Sequence, residues 1–257
     1  MKIGAIFCLW LALAAPSWVA YPSVDGALVP ALVWRPAVQN GAGVVFAHGD
    51  QGGTANTQAT DQIAQDLADR GYWVVAPDYR GSSGHGAAWL NAYDLGGLEV
   101  EDVALAVVWL AERGIARVIV AGVSHGGLIA GGVAFRYPIL AAGYALVSSG
   151  GDWEVIYALA PPRLQRQLER SMGGTPEEAS EEYRVRSLLW QAEAVARPLL
   201  IQHGMDDPIV PVELSVELAQ ALTEPTVFFY PGNGHGVWWS NPVAWQDFLE
   251  WLVDVFS

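Results

Sequence analysis

The chain has 257 residues, of which 52% are hydrophobic and 16% are charged, and its formal net charge is −14. A composition this apolar excludes a disordered chain and suits one domain with a large buried core. The acidic excess argues against nucleic acid or an anionic membrane surface as the main partner, because both attract Lys and Arg.

The N-terminus has the layout of a secretory signal peptide. Lys2 gives a positive start, residues 3–15 are almost wholly apolar, and small residues follow. The apolar stretch is too short for a convincing membrane span. We therefore expect residues 1–20 to be a signal peptide, cleaved before Trp18 or after Ala20, and the protein to be exported to the periplasm or beyond the cell, without stable membrane insertion. The only cysteine, Cys8, would be removed with it.

Strand and helix patterns alternate along residues 21–257, which we interpret as one domain. Short segments rich in β-branched and aromatic residues predict strands, and apolar residues three and four apart predict helices. This alternation implies an α/β fold with a mostly parallel, doubly wound sheet. The predicted strands cover residues 27–34, 42–47, 72–76, 117–121, 139–147, 199–202 and 226–230, and the predicted helices cover residues 57–70, 98–113, 126–136, 212–222 and 242–255.

One segment interrupts the alternation. Residues 151–196 contain no convincing strand, but residues 163–170 and 176–190 have helical, charged patterns. Because the segment lies between two predicted core strands, we interpret it as a small helical cap inserted above the sheet. The alternative is an ordinary crossover helix with a long loop.

Ser124 is the candidate nucleophile. It lies in the sequence Gly-Val-Ser-His-Gly over residues 122–126, between a predicted buried strand and a predicted helix of small residues. A serine on so tight a strand-to-helix turn needs glycine two positions before and after it, since side chains there would collide. The helix N-terminus also favours negative charge on a reacting oxygen.

A nucleophilic serine needs a base, and His235 is the best candidate. It lies in a Gly-rich loop between the last predicted strand and the last predicted helix, from which its ring can reach across to Ser124. His203, at the end of a strand, is expected to support the loop of the acid instead.

The acid that orients the histidine is Asp206 or Asp207, and we favour Asp207. Both follow the strand at residues 199–202, and both precede His235, as the nucleophile–acid–histidine order requires. Asp152 is a less favoured alternative. Other carboxylates, such as Glu99, Glu101 and Asp102, are expected on a solvated helix face or as charges at a helix start.

Two backbone N–H groups must bind the developing oxyanion. We assign one to His125, directly after the nucleophile. The second comes from the Gly-rich loop after residues 42–47, where Asp50 is the first choice and Gln51 the second. No metal or cofactor is expected, because no His/Cys cluster has ligand spacing and no G-x-G-x-x-G follows the first strand.

These motifs together resemble the α/β-hydrolase superfamily, in particular the catalytic domain of prolyl oligopeptidase-like enzymes and, close to it, dienelactone hydrolase-like esterases. The run DYRGSSGHG over residues 78–86 points to the peptidase-like branch, and HGMDD over residues 203–207 follows in the family's order. The resemblance extends from about residue 27 to the end. It implies an α/β-hydrolase fold and a Ser124–Asp207–His235 triad.

Two departures from this resemblance favour esters over peptides. No β-propeller precedes the hydrolase domain, and the oxyanion loop lacks the tyrosine that oligopeptidases use there. We therefore expect a small-molecule ester as substrate, with a short peptide and peptidase or amidase activity as the alternative. A catalytically silent binding protein is a third hypothesis, against which the complete Ser–Asp–His order argues.

The substrate pocket can be anticipated only from residue types. An acidic pocket built from insertion glutamates would favour an aminopeptidase; the candidates are Glu154, Glu177 and Glu178. Tryptophans on loops and on the expected cap are candidates for an apolar pocket lining: Trp89, Trp153, Trp190, Trp238 and Trp239.

Overall fold

The computed structural model describes residues 15–50 and 52–257. Within these residues the strands are β1 (Ser17–Pro22), β2 (Leu28–Trp34), β3 (Ala42–Ala47), β4 (Trp73–Pro77), β5 (Arg117–Val123), β6 (Gly143–Val147), β7 (Leu199–Gly204) and β8 (Thr226–Tyr230). They form one sheet in the order β1-β2-β4-β3-β5-β6-β7-β8. The pairs β1–β2 and β2–β4 are antiparallel, and the five remaining pairs, from β4 to β8, are parallel.

Helices cover both faces of this sheet. They are α1 (Gln58–Asp69), α2 (Ala87–Leu90), α3 (Leu98–Ala111), α4 (His125–Arg136), α5 (Trp153–Leu159), α6 (Pro162–Met172), α7 (Ser180–Arg186), a 3-10 helix (Leu188–Ala194), α8 (Val212–Ala221), α9 (Val237–Ser240) and α10 (Pro242–Phe256). One core cluster packs α3, α4 and α8 on one face, and a second packs α1 and α10 on the other. The doubly wound α/β-hydrolase fold expected from the sequence is confirmed.

Helix boundaries follow capping residues that the sequence displays. The Thr57 side chain accepts a hydrogen bond from the Thr60 amide at 3.1 Å and begins α1. Asn241 caps α10 in the same way, with Pro242 at the first helical position. Such caps explain why predicted and observed helices agree to within a few residues.

The insertion between β6 and β7 contains α5, α6, α7 and the 3-10 helix. These helices and Leu95 of the loop before α3 form a small apolar core, to which Trp153, Leu168 and Tyr183 contribute. The single helix expected over residues 176–190 is broken at Ser187. Its buried hydroxyl donates to the Tyr183 carbonyl at 2.7 Å and accepts from the Trp153 amide at 2.8 Å, which ends the helix there.

Two strand assignments differ from expectation. β6 begins at Gly143 rather than at residue 139, because residues 139–142 form the turn that leaves α4, and Ile139 is exposed. β1 includes residues 17–20, which the sequence assigns to the signal peptide, so the expected boundary at residue 20 falls inside a paired strand. Residues 1–14, with Cys8, lie outside the described residues. No helix in the described part of the chain is long and apolar enough to span a membrane.

Glu99 and Asp102 do not lie on a solvated helix face, since both are fully buried, although Glu99 does lie in the first turn of α3. The Asp102 carboxylate pairs with the Arg80 guanidinium at 2.9 Å. Glu99 accepts hydrogen bonds from the backbone amides of residues 94–96 at 2.7–3.0 Å. Burial raises the pKa of Glu99 to about 7, against these three bonds, which lower it.

Candidate active site

Ser124 occupies the sharp turn between β5 and α4. Its backbone has φ 57° and ψ −123°, a conformation that is strained for a non-glycine residue. The Ser124 amide donates to the carbonyl oxygen of Val147 at 2.8 Å, which ties the turn to the neighbouring strand β6. The side chain is thereby presented at the carboxyl edge of the parallel strands, where α/β proteins bind ligands.

The two glycines flanking Ser124 are required by close backbone contacts. A Cβ atom on Gly122 would lie 2.0 Å from the carbonyl oxygen of Gly126. A Cβ atom on Gly126 would lie 2.1 Å from the carbonyl oxygen of Ala47 in β3. Both distances are far inside van der Waals contact, so the structure gives the physical reason for the pattern seen in the sequence.

Asp207, and not Asp206, lies against His235. The distance from Asp207 Oδ2 to His235 Nδ1 is 2.7 Å, and the carboxylate is fully buried. Its Oδ1 accepts from the amides of Ile209 at 2.8 Å and Val210 at 3.0 Å. Burial raises the pKa of Asp207, but the bonds from Val210, His235 and Ile209 outweigh it and hold the pKa below its ordinary value.

The two alternative acids have other environments. Asp206 is exposed, and its side chain makes no hydrogen bond within residues 15–50 and 52–257. Asp152 caps α5, where it accepts from the Glu154 amide at 2.7 Å. The geometry therefore favours Asp207 as the partner of the histidine.

The Asp207 carboxylate fixes the orientation of the His235 ring. Because Asp207 is an ionised acceptor, the His235 nitrogen that faces it, Nδ1, carries the proton and Nε2 is left unprotonated. Neither His235 Nε2 nor Ser124 Oγ is hydrogen-bonded to a described residue, so the two atoms do not form a hydrogen bond with each other in this structure. The His235 side chain is 21% exposed.

A second histidine, His203, supports the same carboxylate. Its Nε2 lies 3.0 Å from Asp207 Oδ2 and 3.0 Å from the Val210 carbonyl, and its Nδ1 lies 2.7 Å from Ser215 Oγ. Burial lowers the pKa of His203, and Nε2, which faces two acceptor oxygens, carries a proton and donates. This contact matches the supporting role expected from the sequence.

Asp50 and His125 line the same cavity as the Ser124 side chain. Asp50 has φ 66° and lines the cavity next to Ser124. A Cβ on Gly49 would lie 3.3 Å from Ser124 Cβ, so the loop of Asp50 passes directly beside the serine. The amides of Asp50 and His125 donate to no described residue, so both are available to an oxyanion. Gln51, the second choice, lies outside the described residues.

Burial keeps the His125 ring neutral. Burial, with a smaller effect of His48, lowers the pKa of His125 to about 4. The ring packs between Tyr79 and Trp153, with centroids 6.1 Å from each. His125 therefore offers the site a backbone amide and an uncharged aromatic wall.

A cavity of about 520 Å³ opens beside Ser124, between the sheet edge and the cap. Its lining is mostly aliphatic and aromatic, and Asp50 and Arg163 are the charged side chains among the described residues that line it. Ser149, also in the lining, has a buried hydroxyl without a hydrogen-bond partner among those residues. The volume suits a small-molecule ligand.

Of the five tryptophans considered for the pocket, only Trp153 lines it. Trp238 packs in the core against Phe248, with ring centroids 4.5 Å apart. Trp89 donates to the Asp78 carbonyl at 3.0 Å and packs against the core. The other two are more exposed: Trp190, beside an arginine of α7, and Trp239, bonded to the Ala59 carbonyl. Residue type alone does not reveal which way such a side chain faces.

Residues 58–257 match the model of the prolyl oligopeptidase family. The chain belongs to this family. The resemblance expected from the sequence to these serine hydrolases is therefore confirmed, whereas the likeness to dienelactone hydrolase-like esterases stays a prediction.

Relatives of the family include peptidases and an esterase. The chain is 30% identical over 184 residues to dipeptidyl aminopeptidase BIII of Pseudoxanthomonas mexicana, an alignment that covers 66% of this chain and 27% of the relative. It is 28% identical over 221 residues to esterase YjfP of Escherichia coli, covering 76% of this chain and 82% of the relative. The crystal structure of puromycin hydrolase superposes with a TM-score of 0.81 at 25% identity, over 94% of this chain and 39% of that one. The chain thus spans about a quarter of the peptidase relative's length.

Proposed function

We propose that the protein hydrolyses carboxylic esters through an acyl-enzyme on Ser124. His235 Nε2 takes the hydroxyl proton as Ser124 Oγ attacks the ester carbonyl, and Asp207 stabilises the imidazolium that forms. The backbone amides of Asp50 and His125 bind the oxyanion. His235 then protonates the leaving alcohol, and a water molecule, activated by the same histidine, releases the acid.

The cavity beside Ser124 is the observation that carries this proposal. Its largely apolar lining suits an acyl group held by shape and oriented by the oxyanion amides. The esterase relative supports the same reaction class, because it aligns over most of its own length.

A second candidate is peptidase or amidase activity. The peptidase relatives favour it, as does Asp50, whose carboxylate lines the cavity and could pair with a free amine. The three insertion glutamates do not line the cavity, and each has a partner elsewhere. Glu154 pairs with Arg184 at 3.2 Å, whereas Glu177 and Glu178 bond to Thr175.

Steady-state kinetics on matched substrates separates the two activities. We expect purified wild-type protein to hydrolyse short 4-nitrophenyl esters with a higher kcat/KM than the 4-nitroanilides of amino acids, and Ser124→Ala to hydrolyse neither. Higher turnover of the anilides, lost in Asp50→Asn, would instead establish the peptidase. Equal ester turnover by wild type and Ser124→Ala would contradict both.

We also propose that the protein is exported, on the strength of the charged, apolar and small-residue order at its N-terminus. Fractionation of cells that express the full chain, with an antibody against it, tests this. Recovery of the protein at full length in the cytoplasm alone would contradict it.

A further inference from the structure

The wall of the cavity contains a hydrogen-bonded pair of polar side chains, the half-buried Tyr93 and the buried Gln167. Tyr93 lies in the loop between α2 and α3, Gln167 lies on the cap helix α6, and both line the cavity. Gln167 is only 9% exposed, and its Nε2 donates a hydrogen bond to the Tyr93 hydroxyl. An amide buried in an apolar wall costs stability unless its hydrogen bonds are satisfied.

The pair retains unused hydrogen-bonding capacity. The bond between them uses one Nε2 proton of Gln167 and one lone pair of the Tyr93 oxygen. The Tyr93 hydroxyl proton and Gln167 Oε1 have no partner among the described residues. An unmet donor beside an unmet acceptor matches a ligand group that both donates and accepts, such as a hydroxyl.

The loop that carries Tyr93 is fixed from several sides. Glu99 accepts from the backbone amides of residues 94–96 at 2.7–3.0 Å. Arg186 of the cap and Arg136 of α4 donate to carbonyl oxygens of the same loop. A group held in this way is preorganised, so little freedom is lost when a ligand binds to it.

The cavity lies on the acyl side of the reaction. His235 must protonate the leaving alcohol, so the leaving group lies next to His235. His235 is not among the residues that line the cavity, whereas Ser124 and His125 are. The part of the ester that enters the cavity and reaches Tyr93 and Gln167 is therefore the acyl group.

We propose that Tyr93 and Gln167 form a specificity subsite for a hydroxyl group at the far end of an otherwise apolar acyl chain. The inference rests on the proposed ester hydrolysis and names its substrate class: esters of hydroxyaryl or similar hydroxylated carboxylic acids. The hydroxyl donates to Gln167 Oε1 and accepts from Tyr93, and the apolar walls hold the rest of the acyl group.

Matched substrates isolate the contribution of these hydrogen bonds. The probes are 4-nitrophenyl esters of phenylacetic, 3-phenylpropanoic and 4-phenylbutanoic acids that carry a para-hydroxyl or a para-methyl group, which is similar in size but forms no hydrogen bond. At one chain length we expect wild type to favour the hydroxyl ester in kcat/KM by about tenfold or more, from two net hydrogen bonds. Tyr93→Phe and Gln167→Leu should each bring that ratio to about one or below.

Tyr157→Phe is the matched control. Its hydroxyl belongs to the same cap, bonds to Glu169 at 2.7 Å and does not line the cavity, so the hydroxyl-to-methyl ratio should stay at the wild-type value. A ratio near one in wild type at every chain length, or an equal fall in Tyr157→Phe, would overturn the subsite. Failure of wild type to cleave any ester would instead refute the proposed function, so the two failures are distinguishable.

Discussion

Replacement of Asp207 by asparagine exchanges one carboxylate oxygen for an NH2 group and tests whether Asp207 acts by orienting His235. The carboxylate accepts four hydrogen bonds, from two backbone amides of its own loop and from His203 and His235. Asparagine keeps one accepting oxygen, which the two amides occupy. Its Nδ2 group then faces the imidazoles, so His235 must turn an unprotonated Nδ1 towards it. Nε2 then carries the proton and cannot take one from Ser124.

The expected loss follows from this change of tautomer. General-base catalysis disappears, while the oxyanion amides and the cavity remain, so kcat should fall by about 10³- to 10⁴-fold. That corresponds to about 4–5.5 kcal/mol of transition-state stabilisation. The loss of matched acceptors in a buried site should also lower the free energy of unfolding by about 1–3 kcal/mol.

Turnover of 4-nitrophenyl butyrate and urea denaturation measure the two effects separately. Asp206→Asn is the control: the side chain is exposed and lies one residue away, so kcat should stay within about threefold of wild type. Activity of Asp207→Asn within tenfold of wild type, or a larger loss in Asp206→Asn, would refute the assigned role of Asp207.

Three further predictions concern stability. Gly122→Ala places a Cβ 2.0 Å from a carbonyl oxygen and should lower the melting temperature sharply. Gly236→Ala, whose Cβ would have its nearest contact at 3.8 Å, should not. Equal melting temperatures of the two variants would contradict the steric account of the turn. The pKa of Glu99 is raised to about 7, so the stability that its protonation contributes is fully present below the ordinary value of 4.5 and is lost as the pH rises towards 7. Urea titrations of wild type and Glu99→Gln at about pH 5 and about pH 8 should therefore show a smaller fall in unfolding free energy in the variant. An equal fall in the two proteins would refute this. A chain that starts at Trp18 keeps five of the six residue pairs of β1 with β2, whereas one that starts at Tyr21 keeps two, so the longer chain should melt at a higher temperature; equal melting would contradict a structural role for β1.

The parts of the site that the sequence predicted are those fixed by local backbone geometry. Steric exclusion around Ser124 leaves glycine as the residue for positions 122 and 126, and this requirement is visible in the chain itself. The position of Asp207 and His235 after two successive strands follows from the parallel sheet, whose strand ends share one edge.

The parts that sequence reasoning missed depend on distant partners. Asp102 is buried because Arg80 reaches it from 22 residues away, and nothing in the helical pattern of α3 distinguishes it from a solvated residue. Tyr93 and Gln167 are 74 residues apart and meet only when the cap folds onto the sheet edge. The strand β1 is not predicted from the sequence for another reason: its apolar residues directly continue the apolar stretch of the expected signal peptide.

The nucleophilic role of Ser124 is tested most directly by reaction with a fluorophosphonate, followed by intact-mass spectrometry and peptide mapping. Wild type should gain one phosphonyl group, on Ser124, and lose its esterase activity in step. Ser124→Ala, folded by circular dichroism, should gain none. Modification of another residue, or full esterase activity in the labelled protein, would contradict the account.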